Sequence, residues 1–169
     1  MDPAKSNQQP FLWSVELYEN PFPERSSNRH ALKLVVCVWI ENADPCYNYR
    51  NLSDADRKST YNTPDGGGKC DVHSSSIILG KWHRFVGDAG TKMPTQCVPD
   101  NRCGAASSGW LKGGHPTLAD GEVSSEVCFT RGADCCKKSI IIKVKDCGSY
   151  FIYKLRKPPG CVLRYCGTD

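Results

Sequence analysis

The clearest pattern of apolar and polar positions lies near the end of the chain. In residues 139–145, Ile140, Ile142 and Val144 fall on one face, with Ser139, Ile141, Lys143 and Lys145 on the other. That two-residue period marks a half-buried strand. Residues 150–155 and 162–165 have strand character too, joined through Asp146-Cys-Gly-Ser149 and Lys157-Pro-Pro-Gly160, both with turn chemistry. The pattern predicts an antiparallel meander with one face buried. Upstream, Ile77-Ile78-Leu79 and residues 82–86 predict one or two more strands, the second alternating Trp82, Arg84 and Val86 against His83 and Phe85. Trp82, Met93, Trp110 and Phe129 are expected in the core, where large apolar side chains usually lie.

The first part of the chain reads differently. Residues 1–30 are polar, and Asn20-Pro21-Phe22-Pro23 blocks regular structure, although 11–18 could form a short helix or strand. Residues 31–40 then form an apolar run with two readings. Its Val, Ile and Trp suit a buried strand. It could also be the apolar region of a secretory signal, cleaved near Ala43, although Lys33 interrupts it and it lies deep for such a peptide. The chain thus divides into an N-terminal extension, 1–43, and a body, 44–169. No run of 18 apolar residues is present, so no transmembrane helix is expected.

Cysteine changes the picture most. The chain has 11 cysteines, and all but Cys37 fall between Cys46 and Cys166. Such density points to a disulfide framework and an oxidising compartment. Cys37 is the odd thiol, and loss of the 31–40 segment would leave an even set. The adjacent Cys135 and Cys136 are poor partners for each other, so each must reach elsewhere. Together these features predict a small disulfide-rich β domain, or a β-dominated α+β one. Its antiparallel strands carry long loops stapled by about five disulfides, behind an irregular extension.

Charge and motifs exclude more than they identify. The net charge is +4, with 18 basic against 12 acidic residues from Cys46 onward. The basic residues are scattered rather than interleaved with aromatics, so nucleic acid is not an expected partner. Thr63-Pro-Asp-Gly-Gly-Gly-Lys69 lacks the Gly-Lys-Ser/Thr ending of a phosphate loop. His30, His73, His83 and His115 have no metal-ligand spacing, and no C-x-x-C pair occurs. No metal or cofactor is therefore expected. Neither a nucleophile elbow nor a catalytic triad is legible, so a non-enzymatic module is expected. Asn51-Leu52-Ser53 is a glycosylation sequon.

Two longer signatures carry a family resemblance. One runs Trp82-His-Arg-Phe-Val-Gly-Asp-Ala-Gly-Thr-Lys-Met-Pro94, Cys97-Val-Pro, Arg102-Cys-Gly104, Gly109-Trp-Leu and Gly114-His-Pro116. The other combines Cys135-Cys136, Cys147-Gly-Ser-Tyr and Cys161-Val-Leu-Arg-Tyr-Cys166. Over residues 44–169 the chain resembles the uromodulin-type cysteine-rich domain. Uromodulin shares that domain with the pancreatic zymogen-granule membrane glycoprotein and the liver's oncoprotein-induced transcript 3 protein.

The resemblance implies a compact, secreted, β-rich recognition module. It implies the pairs Cys46–Cys147, Cys70–Cys161, Cys97–Cys135, Cys103–Cys166 and Cys128–Cys136. In some family members, glycans on two asparagines capture bacterial adhesins; here Lys112 and Lys154 stand at those places. An adhesin-decoy role is therefore not expected, and Asn51 is the glycan candidate. The expected function is binding of an extracellular protein or glycan through the basic strand face of Lys143, Lys145, Lys154 and Arg156. The alternative is a structural spacer in a longer secreted or zona-pellucida-associated precursor.

Overall fold

A computed structural model of the chain describes residues 44–169. The 11–18 and 31–40 segments and Cys37 lie outside the described residues.

Seven strands form one sheet in the order β1-β2-β6-β5-β4-β3-β7. They are β1 (Tyr49–Leu52), β2 (Trp82–Phe85), β3 (Ser107–Leu111), β4 (Glu122–Arg131), β5 (Asp134–Asp146), β6 (Phe151–Lys154) and β7 (Leu163–Tyr165). The β4–β5 hairpin forms its spine, paired from Glu122↔Lys145 to Arg131↔Asp134 with one irregularity near the turn. The alternation in 139–145 is realised: Ile142 and Val144 are buried, while Ile141 is half exposed. Around them Leu52, Phe85, Met93, Leu111, Val127, Phe129, Tyr153 and Tyr165 form the main core. A smaller cluster of Cys46, Trp82 and Ile152 packs with Tyr49, Cys147 and Tyr150. Trp110, expected in the core, is partly buried and packs against Val98, Cys103 and Cys166. The remaining regular elements among the described residues are short 3-10 turns.

Two expectations need correction. The third meander strand does not return beside β6. β7 instead lies at the far edge, parallel to β3, with Ser107↔Leu163 and Gly109↔Tyr165 in register. The other edge is also parallel, Tyr49↔Trp82 through Leu52↔Phe85, so the sheet is mixed rather than wholly antiparallel. A parallel neighbour requires a long crossover, and the chain supplies one at each edge. Residues 77–79 are not a strand; only Ile77 is buried there, and Leu79 is open to solvent.

Close approach of backbone explains two glycines. A Cβ on Gly109 would lie 2.8 Å from both the Arg164 carbonyl oxygen and the Phe129 ring. Only glycine lets β7 and that ring close over the centre of β3. Gly167 sits more tightly still, against the Ala89 carbonyl oxygen. The tail there is laced on both sides. Ser59 N–H donates to Gly167 O (2.7 Å), Gly167 N–H to Arg57 O (2.8 Å), Thr168 N–H to Lys92 O (2.7 Å) and Thr91 N–H to Thr168 O (2.7 Å).

Beneath the tail lies a buried ionic network. The Arg57 guanidinium, 1 % exposed, donates to both Asp71 oxygens (2.9 and 2.6 Å) and through Nε to Asp54 (3.2 Å). Asp71 also accepts from Tyr165 N–H at 2.8 Å. Arg164, 3 % exposed, donates to Cys103 O (2.9 Å) and Asp56 (2.8 Å). Burial and these cations oppose each other at Asp56; the Arg164 and Lys69 charges prevail and hold its carboxyl below the usual range.

Candidate functional site

Five disulfides frame the sheet: Cys46–Cys147, Cys70–Cys161, Cys97–Cys135, Cys103–Cys166 and Cys128–Cys136. Their Cα separations of 4.6 to 5.7 Å are ordinary for such bridges. Cys46–Cys147 ties the entry to β1 to the β5–β6 turn, on the small apolar cluster. Cys70–Cys161 and Cys103–Cys166 flank the buried ionic network. Glu126 lies close to Cys128 and Cys136, but both sulfurs belong to one bridge and have no thiolate to offer a metal.

Among the described residues, two of the concavities open to solvent stand out. The larger, about 610 Å³, is lined by Asp54, Asp56, Lys69, Asp71, His73 and Arg164. Its charged groups are largely spent on one another in the network above, so it reads as structural. The other, about 420 Å³, lies where β6 ends beside β5. Leu79, Gly80, Ser124, Ile141, Ile142, Lys143, Lys154, Leu155 and Arg156 line it.

Each wall of this second groove is anchored. On one side Ile77 is buried and Ile78 N–H donates to His83 Nε2 at 3.1 Å, fixing the turn that presents Leu79. Accepting that bond requires a neutral His83 ring. Burial, the largest influence, lowers its pKa and keeps it neutral. On the other side Leu155 is buried, and Tyr165 Oη–H donates to Arg156 O at 2.7 Å. Leu79 and Ile141 remain 62 % and 50 % exposed, an aliphatic floor open to contact.

The basic residues expected on this face divide in two. Lys143 and Lys154 are direct cross-strand neighbours, and Arg156 follows two positions on. Like charges facing each other across a sheet are destabilising unless they are met by an anion. Lys143 is partly met by Glu122. Lys154 lies 5.9 Å from the Trp82 ring centroid, and neither it nor Arg156 has an ion-pair partner among the described residues. Lys145 points away from the groove's needs: it pairs with Asp44 at 3.1 Å. The Asp44 carboxyl is held below its usual range by the Cys46 amide first, and Lys145 reinforces it. Lys112 stands outside the groove in an exposed pair with Glu126 at 3.0 Å. Asn51 is exposed on edge strand β1, opposite Arg84 in register.

The sequence reading missed the contribution of Leu79, Gly80 and Ser124 to the groove. Ser124 belongs to β4, where Val123, Val127 and Phe129 turn inward against Glu122, Ser124 and Glu126. That alternation was available, but Ser125 breaks its apolar face.

Comparison with known proteins places the sequence in a family. A family model for the uromodulin-like domain matches residues 83–167. The dog (Canis lupus familiaris) pancreatic secretory granule membrane major glycoprotein is 40% identical over 148 residues, covering 87% of this chain and 26% of the relative. Its rat (Rattus norvegicus) counterpart is 45% identical over 130 residues, covering 75% of this chain and 23% of the relative. Mouse (Mus musculus) uromodulin is 40% identical over 127 residues, covering 75% of this chain and 18% of the relative. The chain spans about a quarter or less of the length of these relatives. By the family model, which covers half of the chain, and by these relatives, the chain belongs to the uromodulin-like domain family.

Proposed function

We propose that this domain is a non-enzymatic extracellular recognition module that binds a protein or glycan partner through the groove between β5 and β6. The observation that carries the reading is the placement of Lys143, Lys154 and Arg156 around the exposed side chains of Leu79 and Ile141. Lys143 is met in part by Glu122, whereas Lys154 and Arg156 beside it have no ion-pair partner among the described residues. Five disulfides support an oxidising, extracellular setting. Asn51 carries an N-glycan in this reading, being an exposed sequon asparagine at the sheet edge. Lysine at positions 112 and 154 speaks against the glycan-displaying decoy role, since neither residue can carry an N-linked sugar.

A second reading makes the domain a structural spacer that carries neighbouring domains in a longer precursor. Its support is the 18% to 26% of each relative that the chain covers. The discriminating experiment secretes the chain from eukaryotic cells and measures binding to a glycan array and to cell surfaces. Saturable binding that survives physiological salt and falls in Lys154→Glu supports recognition. No binding at micromolar concentration leaves the spacer. Intact mass before and after Ser53→Ala reports the Asn51 glycan, whose absence would remove that part of the proposal.

A further inference from the structure

The two edges of the longest strand are covered unequally. β4 pairs with β5 along nearly its whole length, whereas β6 covers only Lys143 through Asp146. Among the described residues no strand pairs with residues 138–142 on the side that β6 leaves. There Ser139-Ile140-Ile141-Ile142 presents alternate N–H and C=O groups outward, a template for another strand. The groove opens directly on this edge, with Ile141 as its floor.

The surrounding charge selects the occupant. A second copy of the chain, paired over this edge, would bring its own Lys138, Lys143, Lys154 and Arg156 close to the first set. Like charges brought together across a sheet oppose that dimer. Lys154 and Arg156 add to the same positive field. A carbohydrate fits less well. Sugar rings pack on open aromatic faces, but Trp82, the ring under Lys154, is only 7 % exposed, and the groove floor is aliphatic. An extended peptide satisfies every feature at once: its backbone meets the open edge, an aliphatic side chain meets Leu79 and Ile141, and its carboxylates meet the cations.

We infer that the unpaired edge of β5 takes an extended acidic segment of a partner protein as an added strand, with carboxylates on Lys143, Lys154 and Arg156. The inference rests on the reading of the groove as a binding site and names the ligand's chemistry.

The test uses the full chain and three probes. One is a blocked eight-residue peptide alternating Glu and Val. The second is the same peptide N-methylated at alternate residues, which keeps its charge but cannot pair along one edge. The third is a heparin-derived hexasaccharide. Calorimetry gives affinity, and hydrogen exchange reports the amides of 139–142. The plain peptide is expected to bind and to slow the outward amides about tenfold or more. Methylation, Lys154→Glu and Arg156→Glu should each weaken it about tenfold, with Lys143→Glu as a further exposed variant should one of these misfold. Equal affinity for the plain and methylated peptides overturns the added strand. Hexasaccharide binding that is sensitive to Lys154→Glu, without peptide protection at 139–142, also overturns it but leaves the groove reading standing. If no probe binds, both fail.

Discussion

The Arg57–Asp71 pair offers the sharpest test of how the loops are held to the sheet. Both side chains are 1 % exposed. Asp71 accepts three hydrogen bonds, two from the guanidinium at 2.9 and 2.6 Å and one from Tyr165 N–H at 2.8 Å. In Asp71→Ala the guanidinium stays buried with only Asp54 and the Tyr165 carbonyl to answer it, and one strand amide loses its acceptor. Removing one partner of a buried pair costs about 3–5 kcal/mol. That is a large share of the roughly 5–15 kcal/mol net stability of a domain. The control is Arg57→Met with Asp71→Leu, which removes both charges and fills similar space. It should be less destabilised than Asp71→Ala alone. Urea unfolding followed by tryptophan fluorescence, with the disulfides intact, measures Asp71→Ala and the cycle of wild type, Arg57→Met, Asp71→Leu and their double variant, whose coupling should be about 2–3 kcal/mol. A loss below about 1 kcal/mol in Asp71→Ala, or a double variant no better than that single one, would refute the reasoning.

Three further outcomes are expected. Gly109→Ala should cost about 1–3 kcal/mol by overpacking, whereas Gly68→Ala, with nothing within 4 Å, should be neutral or slightly stabilising in the same urea assay. His115 is pushed down to about 4 by burial first and by Lys92 second. Its folded pKa lies below the unfolded 6.5, so its stabilisation is complete above that value and is lost as pH falls from 6.5 towards 4. His83 shifts the same way. The lowered Asp44 and Asp56 act only further into acid, losing their contribution below about 3.8. For the partly exposed His115 ring the loss is about 1–2 kcal/mol after screening. An NMR titration midpoint for His115 near that of a free imidazole would contradict it. Replacing both cysteines of Cys46–Cys147 by serine opens a 101-residue span, against 8 for Cys128–Cys136. Loop-closure entropy then predicts losses of about 4.7 and 2.5 kcal/mol. Equal unfolding midpoints for the two variants would contradict that ordering.

The parts of the fold that were legible in sequence are those where local pattern and burial agree. The Ile140, Ile142 and Val144 alternation gave β5 its inward face, and the strand-forming residues from Trp82 gave β2, although Trp82, His83 and Phe85 are all buried there rather than alternating. β3 was hidden because Ser107-Ser108-Gly109 has low strand propensity. It is a strand because Gly109 admits Phe129 and β7, a tertiary requirement that no local window contains. β7 has ordinary strand residues, but its partner is decided by the bridge to Cys103 and by Asp71, which takes its backbone amide. The basic side chains of the groove could be named from sequence. Their sorting could not, because Lys145 finds Asp44, 101 positions away, while Arg156 finds none among the described residues.

The lacing of residues 166–168 between the Arg57 and Lys92 segments bears on how the domain is made. Synthesis runs from the amino end, so Cys46, Cys70 and Cys103 emerge long before Cys147, Cys161 and Cys166. Roughly 120 residues separate the first bridged cysteine from the last, about 6–24 s of translation. Throughout that interval three early thiols stand open to wrong partners, with only Cys97–Cys135 and Cys128–Cys136 able to close in the meantime. The native set is therefore complete only once Cys166 has been made. The yield of correctly bridged protein becomes a contest between disulfide exchange among the early thiols and the arrival of their late partners.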